Sequence, residues 1–328
     1  MDVALIGSSG HTGYVTNEMD HPAVDIVGVA PGSAGEDVSD LYGQVSDRDA
    51  SVALYESAGE LLEEEQPDVS AISCQFADLA PVSEQALEMG VDVFTEKPLA
   101  TTLTDLERLR DAYEESDAEL VGMFGIRYDP WFYTAHRRIE EGAIGDVRLL
   151  YGQKSYRLGS RPEFYRSRET YGGTIPWVGI HAIDWINWVT DAEFESVHAQ
   201  HSRRQNRDHG DLETSGVVTL ELSDEVLATV SVDYYRPDTA PTHGDDQLRV
   251  VGTDGVIVVR DEELYLINDG HEGERRLQQQ DGGSIFPDFL SMLAGESDCL
   301  ITAEESFRAT EVSLKARDAA DKRRTLEL

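Results

Sequence analysis

The first 124 residues alternate short apolar runs with segments whose apolar residues recur at helical spacing. The runs predict six strands, at Val3–Ile6, Asp25–Ala30, Val52–Tyr55, Val69–Ser73, Val91–Phe94 and Leu120–Phe124. Between them the pattern predicts helices, among them Ser57–Glu65, Pro81–Met89 and Leu103–Glu115. Strands that alternate with helices in this way indicate a doubly wound parallel sheet, so residues 1–124 are predicted to form an α/β domain.

After about residue 125 the hydrophobic period changes to two. A helix is predicted at Asp129–Glu141, followed by strands at Val147–Tyr156, Ser196–Ser202, Gly216–Leu222, Val226–Asp233, Leu248–Val251 and Val256–Val259. In the fourth of these strands small apolar residues alternate with more polar ones, which is typical of a sheet buried mainly on one face. Residues 125–328 are therefore predicted to be an α+β domain with an antiparallel sheet, whose last helix, Ala303–Asp321, is a candidate to pack back on the first domain.

Composition excludes several classes of protein. The 328 residues include 64 acidic and 27 basic ones, a net charge of −37, which disfavours binding to nucleic acid. Because the acidic residues are spread along the chain, adaptation to molar salt is favoured over an acidic face for a basic partner. No apolar run approaches the roughly 18 residues of a membrane span. Two cysteines give neither a disulfide framework nor metal-ligand spacing, so a cytoplasmic protein without a metal is expected.

A glycine turn, Gly7-Ser8-Ser9-Gly10-His11-Thr12-Gly13, follows the first predicted strand. A strand, a glycine turn and a helix form the context of a dinucleotide-binding loop, although Ser9 stands where the usual pattern has its second glycine. An ordinary strand–helix turn is the alternative. The second strand ends without the acid that binds the 2′-hydroxyl of NAD and without an arginine for the 2′-phosphate of NADP. Ser33 offers one hydrogen bond there, so either cofactor is possible, with a slight preference for NADP.

A lysine follows the fifth predicted strand, in Thr95-Glu96-Lys97-Pro98. Ligands of open α/β sheets bind outside the carboxyl ends of the strands, and an ammonium group there can hold a hydroxyl or carbonyl oxygen. The alternative for Lys97 is a solvated surface side chain.

A histidine in the second domain is the candidate acid/base. His181 and Asp184 follow a Gly-Gly run and Pro176, on a predicted amphipathic helix, where their spacing of three places them on one face. An imidazole titrates near neutrality and suits proton transfer to or from an alcohol. The alternative is a core histidine satisfied by Asp184, and zinc binding is disfavoured because no third ligand is near.

Together these motifs resemble the Gfo/Idh/MocA family of oxidoreductases over nearly the whole chain. The resemblance rests on five motifs in the family's order: Glu96-Lys97-Pro98, Arg127 after Gly125-Ile126, Gly142–Asp146, the run from Gly172 to Asp184, and Val251–Gly255. It implies an N-terminal Rossmann domain, a C-terminal domain with a large, open, mainly antiparallel sheet, and a homodimer or homotetramer formed through that sheet.

The resemblance also implies roles for individual residues. Lys97 would hold the reacting oxygen and His181 would exchange its proton while a hydride moves to or from nicotinamide. The implied cofactor-binding residues are Gly7, Ser9, Gly10, His11, Thr12, Ser33, Cys74, Gln75, Glu96, Lys97, Arg127 and Trp177. The candidates for contact with substrate, chosen from their positions, are Lys154, Arg157, Tyr165, Trp177 and Asp184.

The sequence departs from the family in ways that bear on function. Trp177 stands where the family often has an Asp, four residues before the histidine, and Gln75 and Leu79 replace a Pro and a His. The expected function is an NAD(P)-dependent oxidoreductase acting on a sugar, polyol or related hydroxy compound. The alternatives are a cofactor-bound sensor without turnover and an enzyme that keeps its nicotinamide bound for chemistry without net oxidation.

Overall fold

A computed structural model describes residues 1–190 and 192–328, which divide into two compact units. Unit 1 comprises Met1–Gly125, Glu169–Gly172 and Ser284–Phe307; unit 2 comprises Ile126–Arg168, Gly173–Gly283 and Arg308–Leu328. The helices are α1 (Gly13–Thr16), α2 (Ser39–Ser46), α3 (Ala58–Glu65), α4 (Leu79–Glu88), α5 (Leu103–Glu115), α6 (Pro130–Glu140), α7 (Arg168–Tyr171), α8 (Ile180–Trp188), α9 (Ile285–Leu293) and α10 (Ala303–Lys322).

Strands β1 to β6 belong to unit 1, and β7 to β15 belong to unit 2. They are β1 (Asp2–Ile6), β2 (Asp25–Ala30), β3 (Ala53–Leu54), β4 (Val69–Ile72), β5 (Asp92–Thr95), β6 (Leu120–Gly122), β7 (Val147–Tyr156), β8 (Phe194–Ser202), β9 (Ser215–Leu222), β10 (Val226–Asp233), β11 (Gly244–Gly252), β12 (Gly255–Arg260), β13 (Glu263–Asn268), β14 (Arg275–Arg276) and β15 (Leu326–Glu327).

The sheet of unit 1 is wholly parallel, with strand order β3-β2-β1-β4-β5-β6. The order reverses between β1 and β4, which confirms the predicted doubly wound fold and marks the crevice in which such sheets bind ligands. The loops after β1, β2, β4 and β5 therefore all start at the same edge of the sheet. These loops carry the glycine turn, Ser33, Cys74 and Lys97.

The core of unit 1 also includes a segment from late in the chain. The Phe94 ring on β5 packs against Phe286 and Phe289 of α9, with ring centroids 5.1 and 5.6 Å apart. Further along, Gly122 of β6 donates its backbone N–H to the hydroxyl of Ser306 at 3.1 Å. α9 was not predicted, because its pairing with β5 joins residues nearly 200 positions apart.

The sheet of unit 2 has nine strands in the order β14-β13-β12-β11-β7-β10-β9-β8-β15. Among the strands of the described residues in this sheet, only β7 and β10 pair in parallel, so the prediction of a mainly antiparallel sheet is confirmed. β10 alternates buried and more exposed positions, as its sequence predicted. β13, β14 and β15 were not predicted.

α8 differs from its prediction as an amphipathic helix. Its residues from Ile180 to Ile186 are all buried, and a π-helical segment, Ile175–Gly179, leads into it. Close approach to β7 explains the burial, since a methyl group at Gly152 would lie only 2.9 Å from the Cβ of Ala182. A helix that is covered on every side cannot show an exposed polar stripe. Among the described residues, no helix is both long and apolar enough to cross a membrane.

Candidate active site

The glycine turn after β1 needs its first glycine. Gly7 has a φ of +83°, and a Cβ there would lie 2.6 Å from the carbonyl oxygen of Ser73. Beyond it, the Ser9 N–H donates to that same oxygen at 2.5 Å. The turn is therefore drawn tightly against the end of β4, at the switch point of the sheet.

The carboxylate of Glu96 holds the other side of the turn. Its Oε2 accepts from the backbone N–H of His11 at 2.6 Å and lies 2.7 Å from Nδ1 of the His11 ring. A side chain at Gly10 would overlap this carboxylate. Its other oxygen accepts from the backbone N–H of Lys97 at 2.9 Å. Glu96 thus joins the glycine turn to the lysine after β5.

Glu96 stays ionised although it is completely buried. Burial by itself would raise its pKa, but the charge and hydrogen bonds of His11 outweigh that effect, and Lys97 contributes in the same direction. The pKa of Glu96 is therefore lowered from its ordinary value. Lys97 is itself only 1% exposed, which excludes the solvated surface lysine that the sequence left open.

A second carboxylate, from Glu36, meets the turn on the side of β2. Its Oε1 accepts from the N–H of Ser8 at 2.9 Å and from the hydroxyl of Ser9 at 3.3 Å. Its Oε2 accepts from the N–H groups of Gly32 and Ser33 at 3.0 and 3.1 Å. Glu36 was not predicted from the sequence, because the usual rule places the ribose-binding acid directly at the end of β2.

Ser33, Cys74 and Gln75 form the neighbouring wall of this crevice. The Ser33 hydroxyl accepts from the N–H of Gln75 at 3.1 Å, and Gly32 packs against Cys74 so closely that a Cβ would lie 2.5 Å from that of Cys74. Burial, followed by the charge of Glu36, raises the pKa of the Cys74 thiol, which is therefore protonated at neutral pH. The Ser33 hydroxyl thus already has a hydrogen-bond partner in Gln75. Its predicted contact with a 2′-phosphate stays a prediction.

In unit 2 the candidate acid/base lies inside the domain core. His181 is 2% exposed, near the start of α8. Trp177, one turn earlier in the π-helical segment, is also buried and meets Tyr165 edge-on, with centroids 6.3 Å apart at 87°. Tyr165 and Trp177, both predicted to contact ligand, are thereby brought together.

Arg127 and Asp184, predicted to contact cofactor and substrate, bind each other. The guanidinium Nε lies 3.0 Å from Oδ2 and an Nη lies 2.5 Å from Oδ1, a bidentate pair with both side chains buried. The pair fixes α8 one turn after His181. It also gives Asp184 a partner other than the histidine that the sequence alternative assigned to it.

Lys154 of β7 and Arg157, just after that strand, have different partners. Lys154 is completely buried, pairs with Asp246, and lies 4.9 Å from the Tyr156 ring and 5.2 Å from the Trp185 ring. Burial by itself would lower its pKa, but Tyr156 and Asp246 reverse that effect and raise it. Arg157 donates to the carbonyl oxygen of Ala240 and supports the loop before β11.

A cavity of about 590 Å³ in unit 2 adjoins the Lys154 pair. Its lining includes Asp129, Tyr156, Arg236, His243 and Asp246. Burial raises the pKa of Asp129 to about 7, with Asp246 and Glu262 adding to the effect and Lys154 opposing it. The sequence analysis missed Asp129 because a high pKa depends on neighbours that the fold supplies.

The predicted residues therefore fall into two groups. Those of unit 1 gather at one edge of its sheet, namely Gly7, Ser9, Gly10, His11, Thr12, Ser33, Cys74, Gln75, Glu96 and Lys97. The remainder belong to unit 2, namely Arg127, Lys154, Arg157, Tyr165, Trp177, His181 and Asp184. In the described ranges no three His, Cys, Asp or Glu side chains are arranged to hold a metal ion.

The local fold of the unit 1 crevice is the one that binds a dinucleotide in doubly wound sheets. Its glycine turn follows a parallel strand and precedes a short helix, and Ser73 and Glu96 fill the space beside Gly7 and Gly10. Backbone N–H groups in such a turn bind phosphate in doubly wound folds. The N–H groups of Ser9 and His11 are already engaged, so their predicted contact with pyrophosphate stays a prediction.

The raised pKa of Asp129 leads to a prediction about stability. Since the folded protein holds this proton up to about pH 7 while an ordinary Asp loses it near pH 4, ionisation of Asp129 destabilises the fold as pH rises between these values. In molar KCl, Asp129→Asn should therefore gain about 2 kcal/mol more unfolding free energy relative to wild type at pH 8 than at pH 5.

Asp269→Asn is the matched control for this measurement, because it removes one negative charge from an exposed turn of unit 2. Denaturant unfolding of both variants at the two pH values gives the comparison. An equal pH dependence in the two variants would contradict the assignment of the raised pKa to Asp129.

Two family profiles match the sequence. Residues 1–123 match the oxidoreductase family with an NAD-binding Rossmann fold, and residues 132–258 match the GFO/IDH/MocA C-terminal domain. Inositol 2-dehydrogenase of Ralstonia nicotianae is 25% identical over 231 residues, which cover 69% of this chain and 64% of that protein. Inositol 2-dehydrogenase of Salmonella typhimurium is 26% identical over 153 residues, which cover 46% of this chain and 44% of that protein. The chain thus aligns with less than two thirds of the length of these relatives.

Solved structures resemble the whole chain. A Thermotoga maritima protein described as a candidate oxidoreductase is 44% identical, with a TM-score of 0.96 and full coverage of both chains. Levoglucosan dehydrogenase in complex with NADH and levoglucosan has a TM-score of 0.84 at 18% identity, over 100% of this chain and 99% of that one, and so shares the fold. With two family profiles in order along the chain and a relative of this similarity over its full length, the protein belongs to the Gfo/Idh/MocA family of oxidoreductases.

Proposed function

We propose that the protein is an NAD(P)-dependent dehydrogenase or reductase that acts on a CH–OH group, or the matching carbonyl, of a sugar, polyol or related compound. Family membership supports the class of reaction. The named relatives act on inositol and levoglucosan, both rich in hydroxyl groups, which supports the class of substrate.

The observation that carries the proposal is the link through Glu96. One buried carboxylate accepts hydrogen bonds from His11 of the glycine turn and from the backbone N–H of Lys97, so the backbone at Lys97 is fixed relative to the dinucleotide loop. The Lys97 side chain is itself buried, and a cation at this place can bind the reacting oxygen of a substrate with little reorganisation. A surface lysine would lack that fixed relation.

The chemistry divides between two residues. In the oxidising direction the substrate carbon loses a hydride, its hydroxyl loses a proton, and the C–O bond becomes a carbonyl; bound nicotinamide supplies the hydride acceptor. We assign the proton to His181 and the oxygen to Lys97. Reduction reverses both transfers, so the same residues serve either direction.

We further propose that side chains of unit 2 contact the substrate and determine which substrate binds. Trp177 and Tyr165 form an aromatic pair whose faces suit the C–H surface of a sugar, and Lys154 of β7 and Arg157, just after that strand, supply positive charge. Trp177 takes the place of an acid common in the family, which favours an altered substrate or, in the rival hypothesis, a sensor without turnover.

Lys97→Ala should lower turnover about a hundredfold or more while leaving nucleotide affinity within about threefold, since the ammonium acts on the substrate oxygen. Steady-state rates with a polyol panel and fluorescence titration with NADH and NADPH, both in molar KCl, provide the two measurements. Lys322→Ala, at an exposed position, is the control. Equal losses in rate and affinity would assign Lys97 to the nucleotide.

His181→Asn should remove the limb of the kcat/KM profile that reflects an imidazole, because the amide carries no titrating proton. The profile is measured from pH 5 to 9 with the best substrate of the panel. His271→Asn, in an exposed turn of unit 2, should leave the limb in place. An unchanged limb in His181→Asn would move the proton to another group.

The same preparations discriminate the rival functions. Nucleotide binding without hydride transfer to any panel member would support the sensor. An absorbance band of reduced nicotinamide in the purified protein would support an enzyme that uses a retained cofactor without net oxidation.

We also propose a homodimer or homotetramer formed through the outer face of the unit 2 sheet. Leu149, Tyr151, Val217 and Leu227 stand on that face and are 37–51% exposed, while the adjacent residues Leu150, Gly152, Gly216, Val218, Val226 and Ala228 are buried. Leu149 and Leu227 are partners in the parallel pairing of β7 with β10. An apolar patch of this kind on an otherwise acidic chain favours association.

Leu227→Asp should therefore reduce the molar mass in solution, because a charge in an apolar interface is desolvated without a partner. Light scattering after size exclusion in molar KCl measures the mass. Leu54→Asp introduces the same change at an equally exposed position of unit 1 and should keep the wild-type mass. A monomeric wild type, or an unchanged mass for Leu227→Asp, would contradict the proposal.

A further inference from the structure

The carboxylate of Glu36 gathers four donors from two loops of unit 1. One oxygen accepts from the Ser8 N–H and the Ser9 hydroxyl, and the other accepts from the Gly32 and Ser33 N–H groups. A carboxylate has about four lone-pair sites, so this arrangement fills them all. In the described part of the chain no Arg, Lys or His lies within ion-pair distance of Glu36, so its charge faces hydrogen-bond donors alone.

Two of the donors, Gly32 and Ser33, stand where the adenosine end of a dinucleotide meets a doubly wound sheet, and the other two belong to the glycine turn. Gly32 and Ser33 follow β2, and in such folds the residues after the second strand contact the ribose 2′ position. A 2′-phosphate needs cationic or N–H donors there, whereas a 2′-hydroxyl needs an acceptor. Glu36 occupies the N–H donors that a 2′-phosphate would need and supplies the acceptor that a 2′-hydroxyl needs.

We propose that Glu36 makes the protein selective for NAD over NADP, by holding the backbone donors that a 2′-phosphate would need and by placing a negative charge beside it. The inference rests on the proposed function and refines its cofactor. It reverses the slight preference for NADP drawn from the absence of an acid at the end of β2. In the turn from Gly32 to Glu36, the Glu36 N–H donates to the carbonyl oxygen of Ser33 at 3.1 Å. This turn places the Glu36 carboxylate close to the end of β2.

Binding of NAD needs little rearrangement of this cluster. The longest of the four contacts, 3.3 Å from the Ser9 hydroxyl, is the weakest of the set and is the one that a ribose hydroxyl would replace. A 2′-phosphate has no proton to offer at neutral pH beyond a small fraction, so it cannot donate to Glu36 in the same way. Discrimination thus combines lost donors with like-charge repulsion.

The test compares NADH and NADPH binding by fluorescence titration in molar KCl for wild type, Glu36→Gln and Glu36→Ala. A glutamine has the same size but turns an NH2 group toward two of the four donors, while alanine frees all four. Asp37→Asn is the matched control, since it removes the adjacent charge, and the Asp37 carboxylate accepts from the backbone N–H of Ser39 at 3.0 Å. Thermal unfolding of each variant confirms that unit 1 is folded.

We expect wild type and Asp37→Asn to bind NADH at least about tenfold more tightly than NADPH, and both Glu36 variants to shift that ratio toward NADPH by about tenfold to a hundredfold. An unchanged ratio in both variants, or a wild type that prefers NADPH, would overturn the inference and leave the proposed function standing. A ratio changed only by alanine would assign discrimination to bulk, which also overturns it. Failure of wild type to bind either nucleotide would overturn both proposals.

Discussion

The buried carboxylate of Glu96 is the interaction on which the arrangement of unit 1 depends. Moving an ionised acid out of water costs several kcal/mol unless charges and donors replace the lost hydration. The His11 ring and backbone and the Lys97 backbone and charge provide that replacement. Each of these groups is consequently fixed by the need to satisfy the same charge, which makes the glycine turn and the lysine one rigid feature.

Glu36 and Glu96 together hold the turn from opposite sides. Glu36 binds Ser8 and Ser9, and Glu96 binds His11 and excludes a side chain from Gly10. Free N–H groups in a glycine turn attract anions. Two internal carboxylates occupy part of that capacity and so set which donors remain for a ligand. Two of the 64 acidic residues of the chain thus shape the glycine turn from within.

Periodicity predicted the fold wherever a strand or helix showed one buried face. β2, β7, β10 and α5 have the predicted bounds, and α5 begins with a cap in which the Thr102 hydroxyl accepts from the Asp105 N–H at 3.1 Å. The failures have a common cause in tertiary contact. α8 is buried on all sides by its neighbours, and β15 is a two-residue strand that exists only through pairing with β8. Neither burial on all sides nor the pairing of so short a strand produces a periodic hydrophobic pattern in the sequence.

The candidate site was predictable as far as its residues act through local motifs. Gly7 and Lys97 are recognisable from strand ends and Glu96 from the family motif, whereas the pairing of Arg127 with Asp184 joins residues 57 positions apart. Glu36 shows why the remainder was missed. The usual rule places the ribose-binding acid by its distance from the second strand, but the physical requirement is only that a carboxylate lie beside the residues after that strand, where it can accept from a ribose hydroxyl. A turn containing Gly32 and Gly35 satisfies that requirement six residues later, so a search by position finds no acid where the folded chain has one.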